Sequence, residues 1–316
     1  MTASTAVAEP RTVPAARGTR RGRTGLGRRV RRGYLWLLAP AFVFMGVFFA
    51  YPLGYGVVMS VTDFTAATFI SGEAPFVGFD NFAAVLSSPL FAVALRNTLL
   101  VTVCSLAGQL AGGMALALYF ERRFPGHTWM PSVILVSWLI PLVITATTWR
   151  WILQENGAFN QVLGLFGIDG PAWLSEPSLA IWAVIGVNVW AGLPFTATIL
   201  SSSLRGVPLE LHEAAVLDGA GYWRRVWSIT LPQLRPVISV LAVLGIVGTL
   251  KLLDLVLVLT GGGPANSTQT FAMLSYIRSF REFDFGAGAA LGNILLAITV
   301  VFAIVYTRAT RGEQRG

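Results

Sequence analysis

Long apolar segments without charged residues constrain this chain more than any other feature of its sequence. A helix needs about 20 apolar residues to cross a hydrocarbon core about 30 Å thick. Six segments meet that requirement, and only the fifth contains charged side chains, Lys251 and Asp254. The sequence therefore predicts an all-α, polytopic membrane protein with six transmembrane helices, which run roughly from Tyr34 to Ser60, Thr98 to Phe120, Met130 to Trp149, Leu179 to Leu204, Pro236 to Thr260 and Phe285 to Tyr306.

The composition excludes several kinds of catalytic site. Cys104 is the only cysteine, so the chain has neither an internal disulfide nor a cysteine-based metal cluster. His127 and His212 are too far apart in sequence for a paired-histidine zinc motif. Lys251 is the only lysine and is flanked by leucines, so the Gly-Lys-Ser/Thr of a phosphate-binding loop is missing. We therefore predict no catalytic residue, no metal site and no cofactor bound by this chain.

The distribution of basic residues predicts the orientation in the membrane. Most of the 23 arginines and lysines lie in the N-terminal tail, the second loop, the fourth loop and the C-terminus. Loops rich in arginine and lysine remain on the cytoplasmic side, so both termini are predicted to be cytoplasmic. Residues 1–33, rich in arginine and poor in large apolar side chains, are predicted to form a disordered tail. The transmembrane domain then covers residues 34–307, followed by a short cytoplasmic tail at 308–316.

The fourth loop, from about residue 205 to 235, has the pattern of two short helices. Pro208 suits the first turn of a helix that continues to Leu217, and Gly219 and Gly221 interrupt it. A second amphipathic segment begins at Tyr222 and is predicted to end at Leu231-Pro232, before the fifth span. Such a pair can dock into a groove of another protein. It can also lie on the bilayer surface, with its tryptophans and arginines among the lipid headgroups.

A motif within this loop resembles the EAA loop of permease subunits from binding-protein-dependent ABC importers. Glu213-Ala214-Ala215 is followed after three residues by Gly219 and, after nine more, by Ile229-Thr230-Leu231-Pro232. In that family the loop forms coupling helices that dock in a cleft of a cytoplasmic ATPase. The resemblance implies that Glu213 pairs with a basic side chain of the ATPase, that Ala214 and Ala215 allow close approach, and that Gly219 provides a turn. The motif also includes Ile229, Leu231 and Pro232.

Other segments are similar to the carbohydrate branch of that family, in the class of maltose- and glycerol-3-phosphate-type permeases. The resemblance rests on Val77 to Phe82, Arg96-Asn97-Thr98, Asn188 to Phe195, and Asp254 with Leu259 to Pro264. It implies a type I permease fold in the bacterial inner membrane and import of a sugar. The implied partners are a second homologous permease subunit, two ATPase copies that bind ATP and Mg²⁺, and an extracytoplasmic binding protein.

Five residues inside the predicted spans are candidates for the substrate path. Trp149, Asn188 and Trp190 offer the flat apolar faces and amide groups that suit a sugar site. Tryptophans near helix ends also anchor proteins at the membrane interface, and asparagines join helices. Lys251 and Asp254 are three positions apart, so on one helix they share a face. On a shared face, their opposite charges either neutralise each other as an ion pair, here called a compensated pair, or line the substrate path.

Two other classes of function remain open from the residues alone. An ion-coupled secondary transporter of a small polar solute would use Lys251 and Asp254 as a relay and would show two repeated halves with broken helices. No such repeat is visible in the sequence. An intramembrane enzyme would need clustered nucleophiles or metal ligands within the spans, where Asp254 is the only acidic residue.

Overall fold

A computed structural model of the chain describes residues 38–122, 124–126 and 129–313. The predicted disordered tail, residues 1–33, lies outside the described residues, as does the beginning of the predicted first span. Contacts divide the chain into two units, residues 1–54 and 55–316. The described part of the first unit is helical and carries a tilted ring pair between Phe44 and Phe48, with centroids 4.7 Å apart.

The predicted all-α membrane fold is confirmed, with five long apolar helices and one bent helix pair. The described residues contain two isolated β-bridges and no β-strand. The long helices are α1 (Leu38–Ser60), α4 (Pro89–Phe120), α8 (Pro177–Leu204), α10 (Tyr222–Leu250) and α13 (Phe285–Glu313), and the bent pair is α5 (Met130–Trp138) with α6 (Leu142–Ile152). The short helices are α2 (Ala66–Ser71), α3 (Asp80–Ser87), α7 (Ala158–Leu165), α9 (Leu209–Leu217), α11 (Asp254–Leu259) and α12 (Phe271–Tyr276).

The third span is broken in its middle by a proline. Helices α5 and α6 meet at an angle of 95°. Pro141 precedes α6 and has no N–H to continue the helical ladder, and it disfavours the helical conformation at Ile140. The third span is therefore a bent pair of helices rather than one straight helix.

The fifth span differs from its prediction at both ends. The second piece of the fourth loop does not stop at Leu231-Pro232, because α10 runs unbroken from Tyr222 into the membrane. A π-helical turn at Val226–Thr230 precedes Pro232 and shifts the hydrogen bonds by one residue, so that the amide of Leu231 donates to the carbonyl of Val226. The helix then ends at Leu250, within the predicted span, and α11 begins only at Asp254.

A glycine stripe allows α4 and α8 to pack closely. A Cβ atom added to Gly108, Gly112 or Gly113 would lie within 3.0 Å of a side chain of α8, namely Val189, Leu193 and Thr196 respectively. Small residues at positions i and i+4 let two membrane helices approach closely. These contacts hold together the helix pair that carries Gln109 and Asn188.

Replacing Gly113 by leucine is expected to destabilise the protein by about 1–3 kcal/mol, because overpacking displaces neighbouring atoms. A Cβ at this position would lie 2.6 Å from Thr196 and 3.2 Å from the backbone nitrogen of Ala197. Gly292→Leu is the control, because nothing lies within 4 Å of a Cβ there. Thermal unfolding of the purified protein in detergent measures both variants, and equal midpoints would contradict the packing account.

At one end of the spans, buried asparagine and threonine side chains fix the glycine-rich loop after α11. The Asn97 amide donates to the carbonyls of Ser267 and Gln269, both at 3.0 Å. The amide of Phe271 donates to the Thr98 hydroxyl at 2.9 Å. A turn follows α11, with left-handed backbone at Gly261 and Gly262. Two of the segments that resemble the carbohydrate branch, Arg96 to Thr98 and Leu259 to Pro264, therefore belong to one region of the fold.

Candidate functional sites

Helix α9 presents the first half of the EAA motif on an exposed surface. It begins directly after Pro208 and ends at Leu217, as the sequence predicts. Glu213 and Ala214 are exposed and Ala215 is half-buried. Leu217 is 89% exposed, and Leu209 and Val216 are also exposed, although all three are apolar. A short helix with two exposed carboxylates, Glu210 and Glu213, among uncovered apolar side chains has the character of a protein docking surface.

The turn at Gly219 has a geometry that explains the motif's glycine. Its φ is +74°, in the left-handed region that favours glycine. The amide of Gly219 donates to the carbonyl of Val216 at 3.0 Å, and that of Ala220 donates to Ala215 at 2.8 Å. This pair of bonds is the Schellman closure of a helix C-terminus. It fixes the direction in which the chain leaves α9.

The second half of the motif lies at the junction between the loop and the membrane helix. Ile229 is half-buried within the π-helical turn of α10. Leu231 and Pro232, also half-buried, follow that turn directly. Buried Val226 and Thr230 attach the same turn to the rest of the protein. These positions therefore lie within α10, where the chain passes from the fourth loop into the fifth span.

Two of the predicted path residues lie in contact. The rings of Trp149, on α6, and Trp190, on α8, form an edge-to-face pair with centroids 5.6 Å apart and an interplanar angle of 69°. Trp190 is 37% exposed. Pro194 lies inside α8 and has no N–H to donate to the carbonyl of Trp190, four residues earlier. The pair therefore combines aromatic surface with a backbone carbonyl that lacks its usual helical donor.

Asn188 lies in a different environment from the tryptophans. It is 7% exposed, and its backbone carbonyl accepts a bond of 2.9 Å from the Gln109 side chain on α4. Positions two apart on a helix point to different sides, so Asn188 and Trp190 do not share a face. The Asn188 Nδ2 atom is buried without a protein partner. The structure thus places Asn188 in the α4–α8 interface.

The expectation that Lys251 and Asp254 share a helix face is wrong. Lys251 directly follows the last residue of α10, and Asp254 is the first residue of α11. Both side chains are exposed, whereas Leu250 and Leu252 are buried. Among the described residues, the ion pair within 4.0 Å joins Arg278 and Glu282 instead. The two charges flank a break in the fifth span and form no ion pair within 4.0 Å.

Arg150 is a residue that the sequence reasoning missed. Its guanidinium donates to the carbonyl of Val258 at 3.2 Å and so joins α6 to α11. These two helices also share the buried core of Ala146, Leu255, Val256 and Leu259. In the sequence, Arg150 is only a single arginine directly after a predicted span. Such an arginine cannot be told from one that contacts lipid headgroups at the membrane surface.

Comparison with known proteins identifies the family. Residues 109–313 match the family described as the inner membrane component of binding-protein-dependent transport systems. The chain is 34% identical to the sulfoquinovosyl glycerol transport permease of Agrobacterium fabrum, covering 88% of this chain and 90% of the relative. It is 34% identical to the diacetylchitobiose uptake permease of Streptomyces coelicolor, and the match covers 99% of this chain and 92% of the relative. It is 32% identical to the trehalose/maltose transport permease of Thermococcus litoralis, and the match covers 90% of this chain and 95% of the relative.

A solved structure shows the same fold. The chain is similar to a bacterial ABC transporter involved in the import of the acidic polysaccharide alginate, with a TM-score of 0.77 and 22% identity over 90% of this chain and 98% of that chain. The family decides against a secondary transporter or an enzyme. The chain belongs to the inner-membrane components of binding-protein-dependent transport systems and is a multi-pass permease subunit of an ABC importer.

Proposed function

We propose that this permease subunit forms part of the translocation path for a sugar or sugar-like solute. The relatives with named substrates transport sulfoquinovosyl glycerol, diacetylchitobiose, and trehalose or maltose. The observation that carries the proposal is the Trp149–Trp190 pair, which lies inside predicted spans. Binding sites combine apolar aromatic walls with a few well-placed polar groups, and the apolar faces of sugar rings suit such walls.

The polar side of the proposed site comes from the break in the fifth span. Lys251 and Asp254 are exposed at this break. Irregular backbone and charged side chains at membrane depth are tolerated where they line a water-filled cavity or another protein chain. Helix α11, which starts at Asp254, contacts both α6 and α8, the helices of the two tryptophans. We therefore place Lys251 and Asp254 along the translocation path rather than in a structural pair. Asn188 remains a candidate, but its side chain would reach the path only if α4 and α8 separate.

The proposed partners follow from the family and from the exposed loop. A second, homologous permease would complete the path, and an extracytoplasmic binding protein would deliver the solute. Two copies of a cytoplasmic ATPase would carry ATP and Mg²⁺, so that this chain binds no cofactor. Glu213, with the apolar side chains around it on α9, supplies the ATPase contact in this arrangement.

In the proposed cycle, ATP biases the permease between two conformations. Closure of the ATPase dimer brings the docked α9 helices together, and α10, which begins three residues after Gly219 and contains the turn at Val226–Thr230, carries that movement into the membrane. The path then opens outward and accepts solute from the binding protein. Hydrolysis restores the inward-facing state, because the ATPase contact differs in strength between the two conformations.

Removing one tryptophan of the pair tests the sugar site. We expect Trp190→Ala to reduce sugar uptake about tenfold, which corresponds to about 1.4 kcal/mol of lost binding. Trp182→Ala is the matched control, since Trp182 also lies on α8 and is exposed. Uptake and ATPase activity are measured in proteoliposomes with the complete complex. Unchanged uptake by Trp190→Ala at wild-type abundance would contradict the site.

The proposed orientation is tested with reporter fusions. Fusions after Arg123, near Gly219 and at Gly316 are expected to report the cytoplasm, because the basic loops remain inside. Fusions near Gly72, Gly170 and Ala265 are expected to report the exterior. Alkaline phosphatase and fluorescent-protein reporters give opposite signals on the two sides. One clear inversion would mean that the spans or the termini are wrongly placed.

A further inference from the structure

An apolar cavity lies beside the first turns of α10, at the end of the spans that carries the fourth loop. Its volume is about 410 Å³. Its walls come from α4, α8 and α10 and are almost wholly apolar, with Leu110, Ala111, Met114, Trp223 and Trp227 among the residues lining it. The two tryptophans are 66% and 70% exposed, so their rings stand at the rim of the cavity.

Three arginines flank this cavity. The guanidinium of Arg122 lies 5.7 Å from the ring centroid of Tyr222, the residue before Trp223. Arg224 is exposed and lies three positions before Trp227, so the two are neighbours on the helix surface. The Nε atom of Arg225 is buried without a hydrogen-bond partner. Among the described residues, none of these three arginines forms an ion pair within 4.0 Å.

The lining and position of the cavity indicate what occupies it. A single acyl chain is slender and wholly apolar, as the walls require. Tryptophan rings at the rim and arginines beside them are the side chains that meet lipid headgroups at a membrane interface. Uncompensated arginines favour a headgroup with negative charge.

We propose that the cavity binds one acyl chain of an anionic phospholipid, whose headgroup is held by Arg122 and Arg224. The same segment of α10 that lines the cavity, including Leu231, carries the second half of the EAA motif. A bound lipid therefore contacts both the membrane core, through α4 and α8, and the junction that joins the coupling helix to the fifth span. Its loss loosens that junction and weakens the coupling of ATP hydrolysis to transport.

The test measures lipid retained by the purified permease–ATPase complex. The complex is equilibrated with vesicles of phosphatidylglycerol and phosphatidylcholine in equal amounts, re-extracted, and analysed by native mass spectrometry. Ala111→Phe fills the cavity, and Arg122→Gln combined with Arg224→Gln removes the two charges. The matched controls are Ala107→Phe, exposed one turn earlier on α4 and not part of the cavity lining, and Arg308→Gln, an exposed arginine of α13.

We expect wild-type and control complexes to retain phosphatidylglycerol in preference to phosphatidylcholine. Ala111→Phe should lose that lipid, and the double arginine variant should retain on the order of tenfold less of it. Equal retention by wild type and Ala111→Phe would overturn the proposal, and so would equal retention of both lipids by wild type. A photoreactive benzoylphenylalanine in place of the rim residue Trp227, where it replaces an aromatic ring and does not fill the cavity, separates the occupants. Crosslinking to lipid supports the proposal, and crosslinking to the second permease subunit overturns it.

Discussion

Replacing Glu213 by arginine is expected to abolish ATP-driven uptake, with a loss of at least a hundredfold, while the subunit still inserts into the membrane. The carboxylate stands exposed on α9, and we propose that it pairs with a basic side chain of the ATPase. Reversing its charge turns an attraction into a repulsion within a contact between two proteins, which costs several kcal/mol. Insertion should be unaffected because α9 lies outside the predicted spans.

The control for charge reversal lies on the same loop. Asp218→Arg makes the same change of charge at an exposed position that the motif leaves open. It also places a cation at the end of α9, where the helix dipole favours one. Co-purification of the ATPase and uptake are measured for both variants. Normal uptake by Glu213→Arg, or equal losses in the two variants, would contradict the assigned contact.

Gly219→Val tests the same contact through its geometry. A β-branched residue at a φ of +74° costs about 1–3 kcal/mol and disturbs the closure at the end of α9. No atom lies within 4 Å of a Cβ built there, so steric crowding does not contribute. We expect ATPase co-purification to fall and membrane abundance to remain. Gly221→Val is the comparison, because the φ of Gly221 is −64° and suits any residue.

Neutralising the charges of the fifth span is expected to stop transport without removing the protein. Lys251→Leu and Asp254→Leu should each retain membrane abundance, because the two exposed side chains do not compensate each other across one helix face. Uptake should fall at least tenfold in each variant, since an apolar wall cannot replace a hydrogen bond to a solute hydroxyl. The double variant should also be abundant and inactive.

The compensated-pair alternative makes the opposite prediction for the same three variants. If each charge depended on the other, either single variant would strand an intramembrane charge and lower abundance, and the double variant would restore it. Quantifying the subunit in membranes and measuring uptake for all three variants distinguishes the two accounts. Rescue of abundance by the double variant would contradict a place for these residues along the path.

The parts of the fold that follow from local chemistry were predictable from the sequence. The spans could be located because no soluble helix requires about 20 uncharged apolar residues. The end of α9 could be placed because Gly219 has a specific conformational reason to be there. Pro141 signalled a break in the third span, although not the size of the bend.

The parts that depend on tertiary contacts were not predictable. Nothing in the run Leu250 to Asp254 resembles a helix terminator, so the break there was missed and with it the separation of the two charges. Helix α8 is apolar on nearly every side, so its sequence could not show that Asn188 faces α4 while Trp190 meets Trp149. The continuity of α10 through Pro232 depends on a π-helical turn that has no sequence signature.

The most direct test of the central claim is uptake by a reconstituted complex. Thermal-shift screening of the cognate binding protein first identifies its sugar, and the complex is then placed in proteoliposomes. Uptake of that sugar is measured with ATP in the ATPase compartment and, separately, with an imposed proton or sodium gradient and no ATP. We predict uptake only when ATP and the binding protein are both present, and none with Glu213→Arg. Uptake driven by an ion gradient without ATP would contradict the account.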